Sequence, residues 1–400
     1  MATQILTFNS GSSSLKVGLF AVYSGHLRCI SKQLFKIKNC PSSYTCDGSE
    51  FFHSPFTVDD ASSTLNEVLS RFSNVINLKK LEAASHRVVF GGDVFRKPVR
   101  IIRSALDQIE SFTKFAPLHQ PRSTAFIRAI HQRFPKLVQT ASFDTVFHQT
   151  IPETTRSFAI PRQLYNDGIK KYGFHGLSYQ SIVNGFRVSA PKLADEKIVV
   201  AHLGSGASIC ALQNGESRDT SMGFSTLDGV PMATRCGALD PGIILYWLQN
   251  EHMTAADISD LLYNHSGLRG ISAVSGDMRQ LLASPAPEAT IAIDLFTLRI
   301  AGEICRLASS IGGFKALIFT AGIGENQPKI RAAICQRLAW LGVELDSTAN
   351  SRNAFQITSP TSKVAVFVMA TDEERIIASE ALTLLSDHTV GATANYSATP

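Results

Sequence analysis

One strand–turn–strand pattern occurs twice in this sequence, and that repeat limits the possible folds more than any other feature. Ile198–Leu203 (IVVAHL) is an apolar, β-branched run of strand length. Gly-Ser-Gly follows as a turn, SICALQ alternates as a second strand, and NGES reads as a hairpin turn. Near the N-terminus, ILTFNSGSSSLKVGLFAVYSGHLR lines up with it at a constant offset from Ile5/Ile198 through Leu19/Leu212. A Gly/Ser turn between two strands lets backbone N–H groups face outward together, the arrangement that cradles a phosphate. Two such hairpins, each opening half a chain, predict a duplicated α/β fold of two lobes with a nucleotide cleft between them.

The rest of the composition is compatible with this. The chain has 400 residues, 44% of them hydrophobic, enough for two cores. Thirty-eight Lys and Arg against 33 Asp and Glu leave a net charge of +5, with no basic run interleaved with aromatics. Nucleic acid is therefore not indicated, while a mild positive excess suits small anionic substrates. Seven cysteines, at 29, 40, 46, 210, 236, 305 and 335, form no C-x-x-C pair, so neither a zinc site nor a disulfide framework is expected. Reduced thiols, the absence of a basic leader and the lack of any apolar run near about 18 residues predict a cytoplasmic protein without a membrane partner.

Taken in order, residues 39–63 are polar and read as a surface insertion. Leu65, Val68, Leu69 and Phe72 then mark a core-facing helix over Ser63–Ser73. SHRVVFGG buries Arg87 in an apolar strand. Such a guanidinium needs an anion, either a carboxylate of the protein or a bound ligand. Ser104–Phe115 reads as a helix, and Pro121 suits the first turn of the next. The strand in LVQTASFDTVFHQTIPE delivers Asp144 beyond its C-terminal end, where polar residues line the ligand crevice of open α/β sheets; a turn cap is the alternative. His175 precedes a helix for which Ser178 is the expected N-cap. Asp240-Pro241 opens a further helix, and Thr254–Asn264 is another. SAVSGDMRQ reads as a polar loop carrying Asp277 and Arg279, and Pro287–Ile311 as a long helix closed by Gly312-Gly313. KALIFTAGIGEN is a strand leading through a Gly-rich turn into a helix, a further anion site. TDEER sets two adjacent carboxylates at the start of the last helix, more than capping requires. The expected lobes are 1–148, completed by a helix over 373–386, and 149–372, with 387–400 as a disordered tail.

In these segments the chain resembles the acetate and propionate kinase family, within the actin, Hsp70 and sugar kinase superfamily. The segments are NSGSSSLK (9–16), SHRVVFGG (85–92), FAPLHQP (115–121), FDTVFHQTIP (143–152), YGFHGLS (172–178), HLGSGAS (202–208), DTSMGF (219–224), TRCGALDPG (234–242), FTAGIGEN (319–326) and TDEE (371–374), in family order. The resemblance implies a two-lobed ribonuclease H-like fold and a homodimer formed through the C-terminal half, although no interface patch is evident in the sequence. It implies Mg2+- or Mn2+-dependent phosphoryl transfer between ATP and acetate, giving ADP and acetyl phosphate, with propionate the alternative acceptor. An ATP-driven conformational protein on the same fold is a further alternative and would need no acyl pocket.

By the same resemblance Asn9 and Glu373 serve the metal. Lys16 and Ser12 reach ATP, which also rests on His202, Leu203, Gly204, Ser205 and Gly206, on Asp277, Met278 and Arg279, and on Gly322, Ile323, Gly324, Glu325 and Asn326. Arg87 and His119 hold the carboxylate, with Val89, Leu118 and Phe174 lining the acyl pocket. Asp144 is the catalytic acid, and His175 and Arg235 stabilise the transferring phosphoryl group. Three positions depart from the family pattern: Ser205 replaces an amide in the turn, Phe90 a histidine, and Thr226 a proline of the acyl pocket.

A carboxylic acid with a pKa near 4.3 is already ionised at neutral pH, so its phosphorylation needs no general base. The obstacle is an anion approaching a polyanion, and positioning with positive charge should supply most of the rate. Asp144 is accordingly expected to orient an arginine or the substrate rather than remove a proton.

Overall fold

A computed structural model describes residues 3–11, 14–36, 61–117 and 119–393. Ser12, Leu118, residues 394–400 and most of the polar stretch 39–63 lie outside the described residues. The chain divides into two units, Met1–Val146 with Asp372–Pro400, and Phe147–Thr371.

The first unit is built on a sheet of β1 (Thr3–Ser10), β2 (Ser14–Tyr23), β3 (His26–Lys36), β4 (Leu81–Val88), β5 (Val99–Arg100) and β6 (Val138–Phe143), in the order β3-β2-β1-β4-β6-β5. β1, β4 and β6 run parallel, and β2 and β3 are antiparallel to their neighbours. Both faces of β1 are buried, with Ile5, Leu6 and Phe8 supplying its apolar side chains to the two sides. On one side Leu6 and Phe8 pack with Leu65 and Val68 of the Ala61–Arg71 helix and with Phe126 and Ile130 of the Gln120–Arg133 helix. On the other, Ile5, Phe20 and Ala83 meet Ala378 and Ala381 of the C-terminal helix Glu373–Thr393. That helix runs past Ser386, where the sequence suggests a frayed end. The helix expected to reach Phe115 is α-helical only over Arg103–Ser111 and tightens to a 3₁₀ turn over Phe112–Phe115.

The second unit repeats this topology. Its sheet holds β7 (Lys197–Leu203), β8 (Ala207–Gln213), β9 (Glu216–Thr220), β10 (Ala316–Thr320) and β11 (Ala365–Val368), ordered β11-β10-β7-β8-β9. Read from the antiparallel edge, both sheets run third, second, first, then two parallel strands, so the sequence repeat is a structural one. Ile198 and Val200 pack under Tyr179, Ile182 and Phe186 of the Gly176–Ser189 helix. The long helix Pro287–Ile311 ends on Gly312 and Gly313, both at positive φ.

Three local expectations fail in this unit. The glycines after β10 do not form an open turn; Ala321–Asn326 is a short helix, tied at its start by Glu325 Oε1, which accepts from the Ala321 N–H at 2.8 Å. The polar loop around Asp277 is confined to residues 273–277, between the helices Gly267–Ser272 and Met278–Ala283, so Arg279 is helical and Asp277 is the second helix's N-cap. Ser178 is not a cap. Its hydroxyl pairs with His202 Nδ1 at 2.8 Å, and His175, left-handed at φ 60°, is the capping residue.

Candidate active site

In the first unit the parallel strands deliver their last residues side by side. Asn9 and Arg87 each lie one residue from the end of their strands, β1 and β4, and Asp144 follows β6 directly. Arg87 grips Asp144 with both ends of its fork, Nε to Oδ1 at 2.9 Å and Nη2 to Oδ2 at 2.6 Å. Its Nη1 donates to Asn9 Oδ1 at 3.0 Å and lies 3.6 Å from Glu373. Asn9 in turn donates to Glu373 and Glu374, each at 2.7 Å. Burial disfavours the Arg87 charge, but Asp144, Glu373 and Glu374 outweigh it and hold the guanidinium pKa above the ordinary arginine value. The anion that the sequence requires for Arg87 is thus a carboxylate of the protein. Two of the five guanidinium N–H groups remain without a hydrogen bond among the described residues.

Three buried carboxylates around one guanidinium form a cluster rich in negative charge and hard oxygen donors, which fits a small divalent cation. Among the described residues there is no group of three or more His, Cys, Asp or Glu side chains that could hold a metal ion. Mg2+ does not demand one, since it usually takes one or two carboxylates and fills its octahedron with water and phosphate oxygens. Glu374 belongs to this cluster as closely as Glu373. The adjacent acids in TDEER are its sequence signal.

Other expected contributors belong to the same unit. Lys16 is exposed on β2 in register with Asn9. Val89 is buried just past β4, and His119 is the N-cap of the Gln120–Arg133 helix. Phe90 is core: it stacks on Phe115 at 5.0 Å and meets Phe112 edge-on, while Gln120 bonds its N–H and its carbonyl. The departure from the family pattern at Phe90 is absorbed by aromatic packing.

In the second unit the turn Gly204–Gly206 joins β7 to β8. Gly204 donates to Gly206 within the turn, and Ala233 donates to Ser205. The N–H groups of Ser205 and Gly206 have no partner among the described residues, so the cradle keeps two of its donors. A Cβ on Gly206 would lie 3.3 Å from Arg235 Nη2 and 3.4 Å from His175 Nε2, so both side chains converge on this glycine. Arg235 is buried and also donates to the Thr226 carbonyl at 2.9 Å. His175 stacks on His202 with centroids 4.3 Å apart.

The remaining nucleotide candidates are brought to the same place. Ala321, which opens the Ala321–Asn326 helix, lies 3.6 Å from where a Gly204 Cβ would stand, and Gly276 packs against the Ala233 carbonyl. Asp277 and Arg279 pair with one another, Arg279 Nε to Asp277 Oδ1 at 3.0 Å. Phe174 is buried, and its carbonyl is held by His148 Nε2 at 2.9 Å.

One residue of this site has no signal in the sequence. Arg331 is fully buried, and all five of its N–H groups are bonded to neutral oxygens: Asn350 Oδ1 and O, Asn353 Oδ1, and the carbonyls of Gly324 and Glu325. Burial without a counter-charge lowers its pKa to about 10. It clamps the end of the Ala321–Asn326 helix from the following helix, Pro328–Arg337.

The sequence pattern of the acetokinase family matches residues 4–379. An acetate kinase of Rhodopseudomonas palustris (strain TIE-1) is 43% identical over 392 residues, covering 94% of this chain and 97% of its own. One from Rickettsia akari is 41% identical, covering 96% and 100%. Among solved structures, a propionate kinase from Francisella tularensis superposes with a TM-score of 0.83 at 36% identity, covering 94% of this chain and 98% of its own. Porphyromonas gingivalis acetate kinase gives a TM-score of 0.81 at 31%, covering 96% and 100%. With a full-length family match, relatives above 40% identity and the same duplicated sheet, this chain belongs to the acetokinase family.

Proposed function

We propose that this chain is an acetate kinase, transferring the γ-phosphoryl group of ATP to acetate to give acetyl phosphate and ADP, reversibly and with Mg2+ or Mn2+. The observation that carries this reading is the convergence of His175 Nε2 and Arg235 on Gly206, beside a turn with spare backbone donors. Those groups would take up charge on the transferring phosphoryl oxygens, where an arginine is worth roughly 10³–10⁵ in rate. Asn9 and Glu373, with Glu374 beside them, would hold the metal, which when bound would supply charge neutralisation on the phosphates. Arg87 would use its remaining N–H groups on the substrate carboxylate while Asp144 fixes its plane. Asp144 thus orients, and no proton need be removed.

The nucleotide would rest on Gly204–Gly206, the Asp277–Arg279 cap and the Gly322–Asn326 segment. The test is trapping with hydroxylamine: acyl hydroxamate should form only with ATP, acetate and a divalent cation together. Phosphate release without acetate would point instead to an ATPase. Propionate is the second reading: a Francisella tularensis propionate kinase is among the similar solved structures, and Thr226 departs from the family pattern at a position the resemblance assigns to the acyl pocket, which leaves the acyl chain open. One methylene is worth about 1–3 kcal/mol, so kcat/KM for the two acids decides between them.

We further infer a cytoplasmic homodimer. In its support, the helix Pro241–Gln249 has no buried residue and exposes Ile243, Leu245, Tyr246 and Leu248, an apolar face of the kind that marks an interface. Light scattering should give twice the chain mass for the wild type and a monomer for Leu245→Asp; a monomeric wild type would refute it.

A further inference from the structure

His175 is fixed by a chain of hydroxyls. Its Nδ1 lies 2.8 Å from Ser208 Oγ, and Tyr179 Oη closes on the same Ser208 oxygen. Tyr179 is fully buried on the helix that His175 caps, and Ser208 on β8 is equally buried. Neither hydroxyl has another hydrogen-bond partner among the described residues.

Counting protons along this chain leaves one satisfied arrangement. The Tyr179 O–H has a single acceptor, Ser208 Oγ, and leaving a buried hydroxyl unbonded costs about 1–3 kcal/mol. Once Tyr179 donates to Ser208, the Ser208 proton has only His175 Nδ1 left to receive it. Nδ1 must then present its lone pair, which places the ring proton on Nε2, the nitrogen facing Gly206. If Nδ1 carried the proton, either the Tyr179 or the Ser208 hydrogen would be stranded. Both the other tautomer and the imidazolium suffer this penalty.

We propose that Tyr179 and Ser208 are positioning residues that hold His175 as a neutral imidazole with its proton on Nε2, so that it acts as a hydrogen-bond donor and not as a cation. This rests on the reading that His175 serves the phosphoryl group. The ionisable groups facing the ring agree with it: His202 stacked on its face, Arg235 at the same glycine, and Tyr179 from its own helix. The Arg235 guanidinium opposes a second positive charge at this glycine. Burial raises the Tyr179 pKa well above its ordinary value, so that phenol stays a donor. The positive charge at the phosphoryl site then belongs to Arg235, and turnover should not depend on His175 gaining a proton.

The test is two-bond 1H–15N correlation on protein labelled at histidine, with the His175 signals assigned by their loss in His175→Gln. Near neutral pH the wild type should show Nε2 protonated and Nδ1 bare. Ser208→Ala removes the only hydroxyl that donates to Nδ1, so it should raise the share of the Nδ1-protonated tautomer by about tenfold, the worth of one hydrogen bond. Tyr179→Phe leaves the Ser208 proton with Nδ1 as its sole acceptor and should keep Nε2 protonated. A protonated Nδ1 in the wild type, or an unchanged ring in Ser208→Ala, would overturn the proposal. Because the readout needs no substrate, absence of acyl hydroxamate with the expected tautomer would count against the kinase reading alone.

Discussion

Removing the Arg87 guanidinium would take its bidentate counter-charge from Asp144, which has no exposed surface, and the nearest positive charge from Glu373. Arg87→Ala should therefore destabilise the protein by about 3–5 kcal/mol in urea melts, because breaking a buried ion pair leaves an uncompensated charge. A loss confined to the KM for acetate, with stability unchanged, would show that the pair is not structural. Arg87→Lys should fare little better, since one ammonium cannot span both Asp144 oxygens and Asn9 at once. From the sequence, Arg87 demanded an anion without naming it. Its partner lies on a neighbouring parallel strand, and sheet order is not written in local pattern. The role of Ser178 was hidden for the same reason: its sequence context suits a cap, but its hydroxyl is taken by His202 on β7.

At the level of elements, two helix ends were legible from local chemistry. Asp240 accepts from the Gly242 N–H at the start of its helix, and Gly312 closes the long helix Pro287–Ile311. The Thr254–Asp257 capping box and the Asp277 cap were not read. The Ala321–Asn326 helix was not legible, because two glycines in six residues argue against any helix. Its support comes from Arg331, caged in turn by Asn350 and Asn353, and no short-range pattern links those positions. Arg331→Met should leave the carbonyls of Gly324, Glu325 and Asn350 without donors and cost about 3 kcal/mol or more. If the Gly322–Asn326 segment holds the nucleotide, the same variant should raise the KM for ATP more than that for acetate. An equal rise in both would detach Arg331 from the nucleotide.

For the molecule as a whole, the repeat seen in the first hairpins extends to five strands of each sheet, with the short antiparallel edge β5 the addition in the first unit; period-two burial and tight turns are the signals a single sequence carries best. Each unit also buries a neutral histidine: His86 on β4, bonded to Gln139, and His148, bonded to Ser217 and the Phe174 carbonyl. Burial is the main cause that lowers both pKa values from 6.5 to about 4. Between those values the unfolded chain binds more protons than the folded one. Stability should thus be level above about pH 6.5 and fall as the pH drops toward 4, by about 3 kcal/mol for each histidine. Urea midpoints measured across that window test this; a flat profile would refute it. No helix among the described residues is long and apolar enough to cross a membrane.

The C-terminal helix has a consequence for synthesis. Ala378 and Ala381 cover one face of a sheet whose first strand begins at Thr3, and the same helix brings Glu373 and Glu374 to Asn9. The strands of the first sheet therefore wait, one face bare, until the helix after Thr371 has been synthesised. The unit Phe147–Thr371 is continuous and ends before that helix begins. The usual vectorial order, N-terminal domain first, is inverted here, and the nascent first sheet is the stretch most in need of a chaperone's shelter.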